Sequence, residues 1–416
     1  MSRSGETTRV RTFLRRQLRQ IRLGGWAAVW RKLGIALLVL ACVPLVLLAR
    51  ILRPLVWFRF GYLPSARIGH YGPNVEVYLC ERDAGMLDPR IRDLFYDGYQ
   101  VSNHQLQKMW SRVLPVHPIV RWLDHVNQGI FGGAKHHFQF RPDPWRDVHG
   151  LLERTAPHLV FTPDEDARGR EALPSIGVPA DAPFVCFHAR DQAYLETVLP
   201  GNDWDVHACR NCSVHTLVPA AEALTQRGYT ALRLGAIVKE PLRTGNPRII
   251  DYASKYRTDF LDVYLGAKCA FFFGSDAGIH GIPNVFRRPV AFVNYTGLEY
   301  LHTWASYDLF IPKKIWMREQ RRFMTFPEIL RSPVRKFIHS NHYRDAGLEV
   351  VDNTPEEITA VVLEMDDRLK GAWRTTEEDE ELQRRFWQLY REGSVNQVYD
   401  AHIGAEFLRQ NRDLLD

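Results

Sequence analysis

The segment that could most directly carry chemistry is residues 184–191, where an apolar run ends in charged residues. His188, Arg190 and Asp191 follow this run almost without interruption. If the run is a buried parallel strand, these side chains lie at its carboxyl end, where doubly wound sheets bind ligands. The planar guanidinium of Arg190 suits a diphosphate, because it donates paired hydrogen bonds and keeps its charge. An ordinary ion pair between Arg190 and Asp191 is the alternative interpretation.

A second segment, residues 271–281, joins an apolar run to a cluster of small residues. Glycine allows the backbone to approach a ligand closely, and free N–H groups at the start of a helix bind phosphate oxygens. The pattern therefore predicts a turn that contacts the phosphate or ribose of a nucleotide, and a plain strand–helix turn is the alternative. The residues of this turn are Gly274, Ser275, Asp276, Ala277 and Gly278.

Further polar residues stand where other predicted strands and helices begin or end. They are expected at the same edge of the sheet, and for each of them a solvated surface charge is the competing interpretation. These additional candidates for donor binding are Arg210, Asn211, Arg233, Gly235 and Lys313.

Metal ligation is a chemistry that the sequence does not favour. The D-x-D formed by Asp164 and Asp166 falls in the first turn of a capped helix, where acidic side chains favour the helix dipole. Cys209 and Cys212 form a single C-x-x-C without a second pair, so reduced thiols are favoured over a zinc site. We therefore predict no metal ion and no cofactor.

The elements that must position these residues are alternating strands and helices. Apolar runs separated by helical patterns imply βαβ units and a parallel sheet covered on both faces. A less regular series comes first, in which residues 66–71 and 74–80 are predicted as strands and residues 91–100 as a helix. Two series predict an α/β protein with two Rossmann-like domains. The predicted divisions are a membrane anchor at 1–60, an acceptor-side domain at 61–175, a nucleotide-sugar domain at 176–350 and helices packing across both at 351–416.

Positive charge is concentrated at the N-terminus. Residues 1–60 contain twelve Arg or Lys and one acid, Glu6, so the rest of the chain carries −5 of the net +6. A slightly acidic body is a poor match for a phosphate backbone, which argues against nucleic acid as a partner. Between residues 10 and 22, apolar residues recur at helical spacing among arginines. This spacing is typical of a helix that lies on an anionic membrane surface.

Residues 33–49 form an uncharged apolar stretch with basic residues on both sides. A stretch of 17 residues is at the short end of what crosses a bilayer, so a spanning helix is one alternative. Pro44 interrupts the stretch, and flanking arginines favour a hairpin with both ends on the cytoplasmic side. In either form we expect residues 1–60 to contact lipid at the cytoplasmic face of the bacterial inner membrane.

Taken together, these segments resemble a family of bacterial glycosyltransferases encoded with surface-polysaccharide genes. The resemblance covers roughly residues 68–387 and implies a GT-B enzyme without an obligatory metal. More distantly, His188-x-Arg190 is similar to the H-x-R-R-x-D signature of GT-B fucosyltransferases, whose arginine contacts the nucleotide diphosphate. Asp191 stands where that signature has a second arginine, so fucose and GDP are not implied.

We therefore expect a metal-independent hexosyl- or deoxyhexosyltransferase that moves a sugar from a nucleotide-sugar donor to a membrane-linked glycan or polysaccharide precursor. Arg190 would neutralise the leaving diphosphate. His188 or Asp191 would accept the proton of the acceptor hydroxyl, unless the base lies in the N-terminal half. A non-catalytic nucleotide-sugar- or lipid-binding scaffold is the alternative, and the absence of G-x-S-x-G disfavours a hydrolase.

Overall fold

The computed structural model describes residues 3–180 and 182–416, without the side chains of residues 3–24 and Ala28. The predicted amphipathic surface of residues 10–22 therefore lies outside the described side chains. The strands are β1 (Trp57–Leu63), β2 (Ile91–Asp97), β3 (Phe184–His188), β4 (Thr230–Arg233), β5 (Ile249–Ile250), β6 (Phe272–Gly274), β7 (Val290–Tyr295), β8 (Leu309–Pro312), β9 (Lys314–Met317), β10 (Arg322–Phe323), β11 (Leu348–Val351) and β12 (His402–Ile403).

The α-helices are distributed along the whole described chain. They are α1 (Arg3–Ile51), α2 (Ile68–Tyr71), α3 (Pro73–Asp83), α4 (His104–Val113), α5 (Val120–Gly129), α6 (Leu151–Arg154), α7 (Pro163–Ser175), α8 (Ala193–Val198), α9 (Val218–Gln226), α10 (Tyr252–Lys255), α11 (Asp259–Lys268), α12 (Gly281–Val285), α13 (Phe326–Leu330), α14 (Ser340–Asp345), α15 (Pro355–Leu369), α16 (Glu377–Arg391) and α17 (Ala405–Gln410).

The chain forms two compact units whose segments alternate in sequence. Unit 1 consists of the described residues of Met1–Leu63, with Leu87–Asp97 and Leu114–Gln139. Unit 2 consists of Pro64–Met86, Gly98–Val113 and Phe140–Asp416. The domain limits that the sequence suggested at residues 60, 175 and 350 stay predictions.

Unit 1 contains the apolar N-terminal helix. Within α1, Gly25 is the one described residue with non-helical dihedral angles. From Gly25 to Ile51 the helix is long and apolar enough to cross a membrane, by length and composition. It runs through Pro44 without a break, so the turn that a hairpin needs is not at Pro44. One face of its C-terminal part packs against α5 in a core formed by Cys42, Val46, Ala49, Phe60, Val120, Leu123 and Val126.

The prediction of a helix at residues 91–100 is wrong, because this segment contains β2, which pairs with β1 in parallel. Asp93 on β2 is buried and accepts hydrogen bonds from Nε and Nη2 of Arg59 at 2.6 and 2.7 Å. Arg59 is its register partner on β1. This buried charge is compensated by a residue distant in sequence, which the local pattern does not show.

The two strands predicted at residues 66–71 and 74–80 are also wrong, since these segments contain α2 and α3. Pro73 begins α3, and the first eight residues of this helix are buried. A helix that is buried on all sides loses the alternation of apolar and polar residues that distinguishes it from a strand. Among the described residues, one doubly wound sheet is present where the sequence predicted two.

That sheet lies in unit 2 and consists of seven parallel strands within residues 184–403, in the order β12-β8-β7-β6-β3-β4-β5. β3 and β7 are buried along their whole length, as expected for strands covered on both faces. Capping boxes at Thr162 and Thr354 begin α7 and α15, and the first of them confirms the capped helix predicted around Asp164. The structure thus confirms a mixed α/β protein with a parallel sheet, and the strands predicted after residue 183 are in place.

Candidate functional site

The two motifs singled out in the sequence meet where the strand order of the sheet reverses. From β3 the chain proceeds to β4 and β5 on one side, and from β6 to β7 and β8 on the other. Doubly wound sheets bind ligands in the crevice at this reversal, outside the carboxyl ends of the strands. His188 at the end of β3 is the register partner of Gly274 at the end of β6. The backbone N–H of Arg190 donates to Ser275 Oγ at 2.7 Å.

Arg190 is a buried cation that has no carboxylate partner among the described residues. It is 8% exposed. Its guanidinium donates to the carbonyl oxygen of His207 at 3.3 Å and to Oδ1 of Asn211, both neutral acceptors. Burial, followed by the nearby Arg210, lowers the pKa of Arg190 to about 10. A fixed guanidinium without a counter-ion is well suited to bind an anion.

A second guanidinium lies close by and is paired with the carboxylate of Asp276. Arg210 Nη2 donates to Asp276 Oδ2 at 2.6 Å, and His280 Nε2 lies 3.4 Å from Asp276 Oδ1. Burial alone would raise the pKa of Asp276, but Arg210 and His280 outweigh it and hold the pKa well below its usual range. Arg210 Nε is buried and has no hydrogen-bond partner among the described residues. Arg210 therefore keeps one donor free beside Arg190.

The carboxylate of Asp191 connects the backbone that follows β3 to the backbone that follows β4. Asp191 Oδ1 accepts the N–H of Ala193, and its Oδ2 accepts the N–H of Lys239, both at 2.9 Å. Both carboxylate oxygens of Asp191 are therefore engaged with backbone. The alternative ion pair between Arg190 and Asp191 does not form, since no such bridge joins these two described residues.

His188 is the predicted catalytic residue whose chemistry is most clearly defined. Its Nδ1 lies 2.8 Å from the carbonyl oxygen of Leu234, an acceptor, so Nδ1 carries the proton. Burial lowers the pKa of His188 to about 4, against the opposing effect of the Leu234 hydrogen bond. The ring is therefore neutral at pH 7, with Nε2 as an acceptor. His188 also lines the cleft described below.

The glycines of the second motif allow close packing of the chain. A Cβ on Gly274, whose φ is 155°, would lie 2.1 Å from the carbonyl oxygen of His188. A Cβ on Gly278 would lie 3.1 Å from the backbone nitrogen of Gly69 in α2. Beyond the motif, a short 3-10 helix (Gly278–His280) leads into the five-residue α12. These glycines thus bring β6 and α2 to the edge of the site.

Asn211, which accepts a hydrogen bond from Arg190, connects two further candidates to the site, Lys313 and Arg233. Lys313 Nζ donates to the carbonyl oxygen of Asn211 at 2.7 Å and pairs with Asp352 at 2.6 Å. Arg233 pairs with Asp251 at 3.1 Å, and it lines a smaller cavity of about 200 Å³ together with Asn211. Both cations are thus already paired.

A cleft of about 430 Å³ opens at this edge of unit 2, a size usual for small-molecule sites. Of the predicted residues, seven line it: His188, Arg190, Asp191, Arg210, Asp276, Ala277 and Gly278. The other six predicted residues do not line it: Asn211, Arg233, Gly235, Gly274, Ser275 and Lys313.

Several residues that line the cleft were missed in the sequence. Arg67 and His70 come from the α2 region, which the sequence assigned to a separate domain. Trp145 and His302 come from loops without a recognisable motif. Asp143 also lines the cleft, and its φ of 47°, which is uncommon for a residue other than glycine, is a feature of the structure and not of the local sequence.

Comparisons with known proteins give only distant similarities. No family model matches the chain, and no curated protein matches it. The solved structures that are similar include the ADP-heptose LPS heptosyltransferase II of E. coli, with 12% identity, a TM-score of 0.33, and coverage of 56% of this chain and 84% of that chain. A family 9 glycosyltransferase of Veillonella parvula has 9% identity, a TM-score of 0.37, and coverage of 62% and 86%. The E. coli heptosyltransferase WaaC has 11% identity, a TM-score of 0.28, and coverage of 57% and 89%. TM-scores this low carry no argument about the function of this chain.

One group of potential metal ligands is present among the described residues, at Glu76, Cys80 and His158. Arg287 Nη2 donates to Glu76 Oε1 at 2.7 Å and contacts Cys80 Sγ at 3.6 Å. Burial opposes protonation of His158, yet Cys80, Glu76 and Asp83 raise its pKa to about 10. Two cations therefore already occupy these donors, and the group forms a network of ion pairs. The absence of a metal stays a prediction.

Proposed function

We propose that the protein is a glycosyltransferase of the GT-B type, which transfers a hexosyl or deoxyhexosyl group from a nucleotide-sugar donor to a membrane-linked glycan or polysaccharide precursor. The observation that carries this proposal is the buried Arg190, which faces the cleft at the reversal of strand order without a carboxylate partner among the described residues. Doubly wound sheets commonly bind nucleotides at this position.

The site can support departure of a nucleoside diphosphate. In the transfer step, the bond between the anomeric carbon of the sugar and the diphosphate oxygen breaks, and its electron pair stays on the diphosphate. A bond forms between the anomeric carbon and the acceptor oxygen, which loses its proton to a base. The guanidinium groups of Arg190 and Arg210, which both line the cleft, would stabilise the charge that develops on the diphosphate.

His188 is better placed than Asp191 to accept the proton. Its Nε2 is an acceptor in the neutral ring, whereas both oxygens of Asp191 already accept backbone N–H groups. A bound diphosphate would favour the charged imidazolium and thus raise the pKa of His188 towards the range of an effective base.

We further propose that residues 1–60 attach the enzyme to the cytoplasmic face of the bacterial inner membrane. The apolar helix from Gly25 to Ile51 supports this, as do the exposed leucines on it, among them Leu37 and Leu40. A membrane-linked acceptor and a soluble donor would meet at that surface.

The proposal can be tested with the full-length protein in detergent by measuring binding of ADP, GDP, UDP and CDP and of their common sugar derivatives. Calorimetry gives the affinities, and hydrolysis or transfer of the sugar shows turnover. Arg190→Met removes the charge but keeps apolar volume, and Arg190→Lys keeps the charge but loses the planar fork. Arg344→Met, at an arginine outside the cleft, is the matched control.

We expect one nucleoside diphosphate to bind wild type and the control equally. Arg190→Met should lower the affinity for this nucleoside diphosphate by about tenfold or more, the equivalent of about 1.4 kcal/mol. The affinity of Arg190→Lys should lie between those of wild type and Arg190→Met. Unchanged binding in Arg190→Met would refute the diphosphate assignment. Binding without turnover in the presence of membrane extract would favour the non-catalytic scaffold.

A further inference from the structure

The wall of the cleft continues from Arg190 through a connected series of side chains in unit 2. Arg210 pairs with Asp276, and His280 lies 3.4 Å from the same carboxylate. The ring of His280 is 5.0 Å from that of His302. The wall therefore leads away from the proposed diphosphate position towards His302.

His302 belongs to an aromatic cluster at that end of the cleft. Its ring centroid lies 5.2 Å from that of Trp145, with the planes 23° apart, and 4.7 Å from that of Trp304. Trp304 is buried, whereas Trp145 is half-buried and lines the cleft together with His302. The cluster thus presents an aromatic, apolar surface beside a histidine.

The histidine has an unused polar atom. His302 is 7% exposed, and its Nδ1 is buried without a hydrogen-bond partner among the described residues. Burial, followed by His280, holds the pKa of His302 well below its usual value, so the ring is neutral. A buried polar atom without a partner is costly, and a ligand hydroxyl at the cleft wall would remove this cost.

The adjoining loop is held in an uncommon conformation. Asp143 has a φ of 47°, and its carbonyl oxygen accepts hydrogen bonds from Arg146 N at 3.0 Å and from Arg141 Nη1 at 3.1 Å. Asp143 is exposed and also lines the cleft. Backbone conformations of this kind recur at ligand sites, where the surrounding structure holds them in place.

We propose that this end of the cleft is the subsite for the sugar of the nucleotide donor. Trp145 packs against an apolar face of the sugar ring, the carboxylate of Asp143 accepts hydrogen bonds from its hydroxyls, and the neutral His302 ring accepts from or donates to them. An aromatic surface with a few placed polar groups is the usual composition of a site for a small polar ligand. The inference rests on the proposed function, because the sugar reaches this position only if its diphosphate binds at Arg190.

The test compares the affinity of a nucleoside diphosphate with that of the same nucleotide carrying its sugar, using the pair that binds best in the panel above. Trp145→Leu removes the aromatic face, and His302→Phe removes the nitrogens but keeps a ring. Trp316→Leu is the matched control, since Trp316 is also half-buried and packs on an aromatic ring, Phe323, but does not line the cleft. Far-ultraviolet circular dichroism and thermal unfolding verify the fold of each variant.

We expect Trp145→Leu and His302→Phe each to lower the affinity for the nucleotide sugar by about three- to tenfold. The affinity for the nucleoside diphosphate should change by less than about twofold. Trp316→Leu should change neither. If Trp145→Leu weakens both ligands equally, the aromatic cluster binds the base and the subsite is overturned. Equal affinities of wild type and both variants for the nucleotide sugar also overturn it.

Failure of the proposed function has a different signature. If the proposed function is wrong, Arg190→Met binds the nucleoside diphosphate with the same affinity as wild type, whatever the result for Trp145→Leu. If wild type binds no nucleotide of the panel, the proposed function and the subsite are both overturned.

Discussion

At the scale of single residues, two neighbouring guanidinium groups and the carboxylate of Asp276 lie together on the cleft wall. Arg210 is paired with Asp276, and Arg190 binds only neutral oxygens among the described residues. Burial, followed by repulsion from Arg210, lowers the pKa of Arg190, and this repulsion is unfavourable when the cleft is empty. Part of the free energy of anion binding therefore comes from relief of this repulsion.

Asp276→Asn should make this repulsion measurable. The change leaves both arginines without a carboxylate and should destabilise the protein by about 2 kcal/mol, because part of a buried ion pair remains uncompensated. Added pyrophosphate should restore part of this loss by replacing the missing charge. Urea unfolding with and without pyrophosphate gives the comparison. Asp352→Asn, which breaks the ion pair with Lys313 outside the cleft, is the control. Equal recovery in both variants would contradict the prediction.

His188 should contribute a pH dependence to stability. Its pKa is lowered in the folded protein to about 4 from 6.5. The unfolded chain therefore binds more protons between these values, and stability is complete above pH 6.5 and is lost as the pH falls towards 4. Wild type should lose about 1.4 kcal/mol per pH unit more than His188→Gln over this window. Urea unfolding at pH 7, 6 and 5 measures the difference. A difference that does not change with pH would show that His188 is not buried as a neutral ring.

At the scale of elements, α2 reaches the cleft because two glycines allow its backbone to pack closely against the turn after β6. Gly69 in α2 and Gly278 in the turn after β6 face each other, and their backbones are in close approach. The contact brings Arg67 and His70 into the same cleft as His188. No local pattern in the sequence indicates that these two glycines meet.

Alanine substitutions should distinguish the two sides of this contact. A Cβ at Gly69 would lie 2.5 Å from Gly278 Cα, whereas one at Gly278 would lie 3.1 Å from Gly69 N. Backbone atoms cannot move aside cheaply, so Gly69→Ala should cost about 2 to 3 kcal/mol and Gly278→Ala about 1 kcal/mol. Gly245→Ala meets no atom within 4 Å and serves as control. Chemical unfolding gives the free energies, and an equal cost at both glycines would argue against the contact.

The sequence predicted the elements after residue 183 well because their signals are local. Apolar runs mark β3, β6 and β7, and a Thr-Pro capping box marks α15. Positions at strand ends were therefore sufficient to bring Arg190 and Ser275 together. The segments at residues 66–80 and 91–100 were mispredicted because α3 is buried all round and β2 depends on a partner strand. Trp145 and His302 were missed because only tertiary packing brings their loops together.

At the scale of the whole molecule, the chain combines a basic, apolar N-terminus with a slightly acidic remainder. The helix from Gly25 to Ile51 exposes many large apolar side chains, and its C-terminal part packs within unit 1. Exposed apolar area of this extent is uncommon on a soluble protein and marks an interaction surface. Lipid is the partner that the flanking arginines favour.

Replacement of Leu37 and Leu40 by lysine should therefore weaken binding of the protein to membranes. These leucines are 59% and 67% exposed, and each lysine in a bilayer-embedded helix costs about 2.5 to 3.5 kcal/mol. The double variant Leu37→Lys/Leu40→Lys should float with neutral phosphatidylcholine vesicles far less than wild type. Leu369→Lys makes the same change at an exposed leucine of unit 2 and should float as wild type does. The proposed attachment is apolar, so high salt should not release wild type from neutral vesicles. Flotation of the double variant to the wild-type extent would show that α1 contacts protein and not lipid.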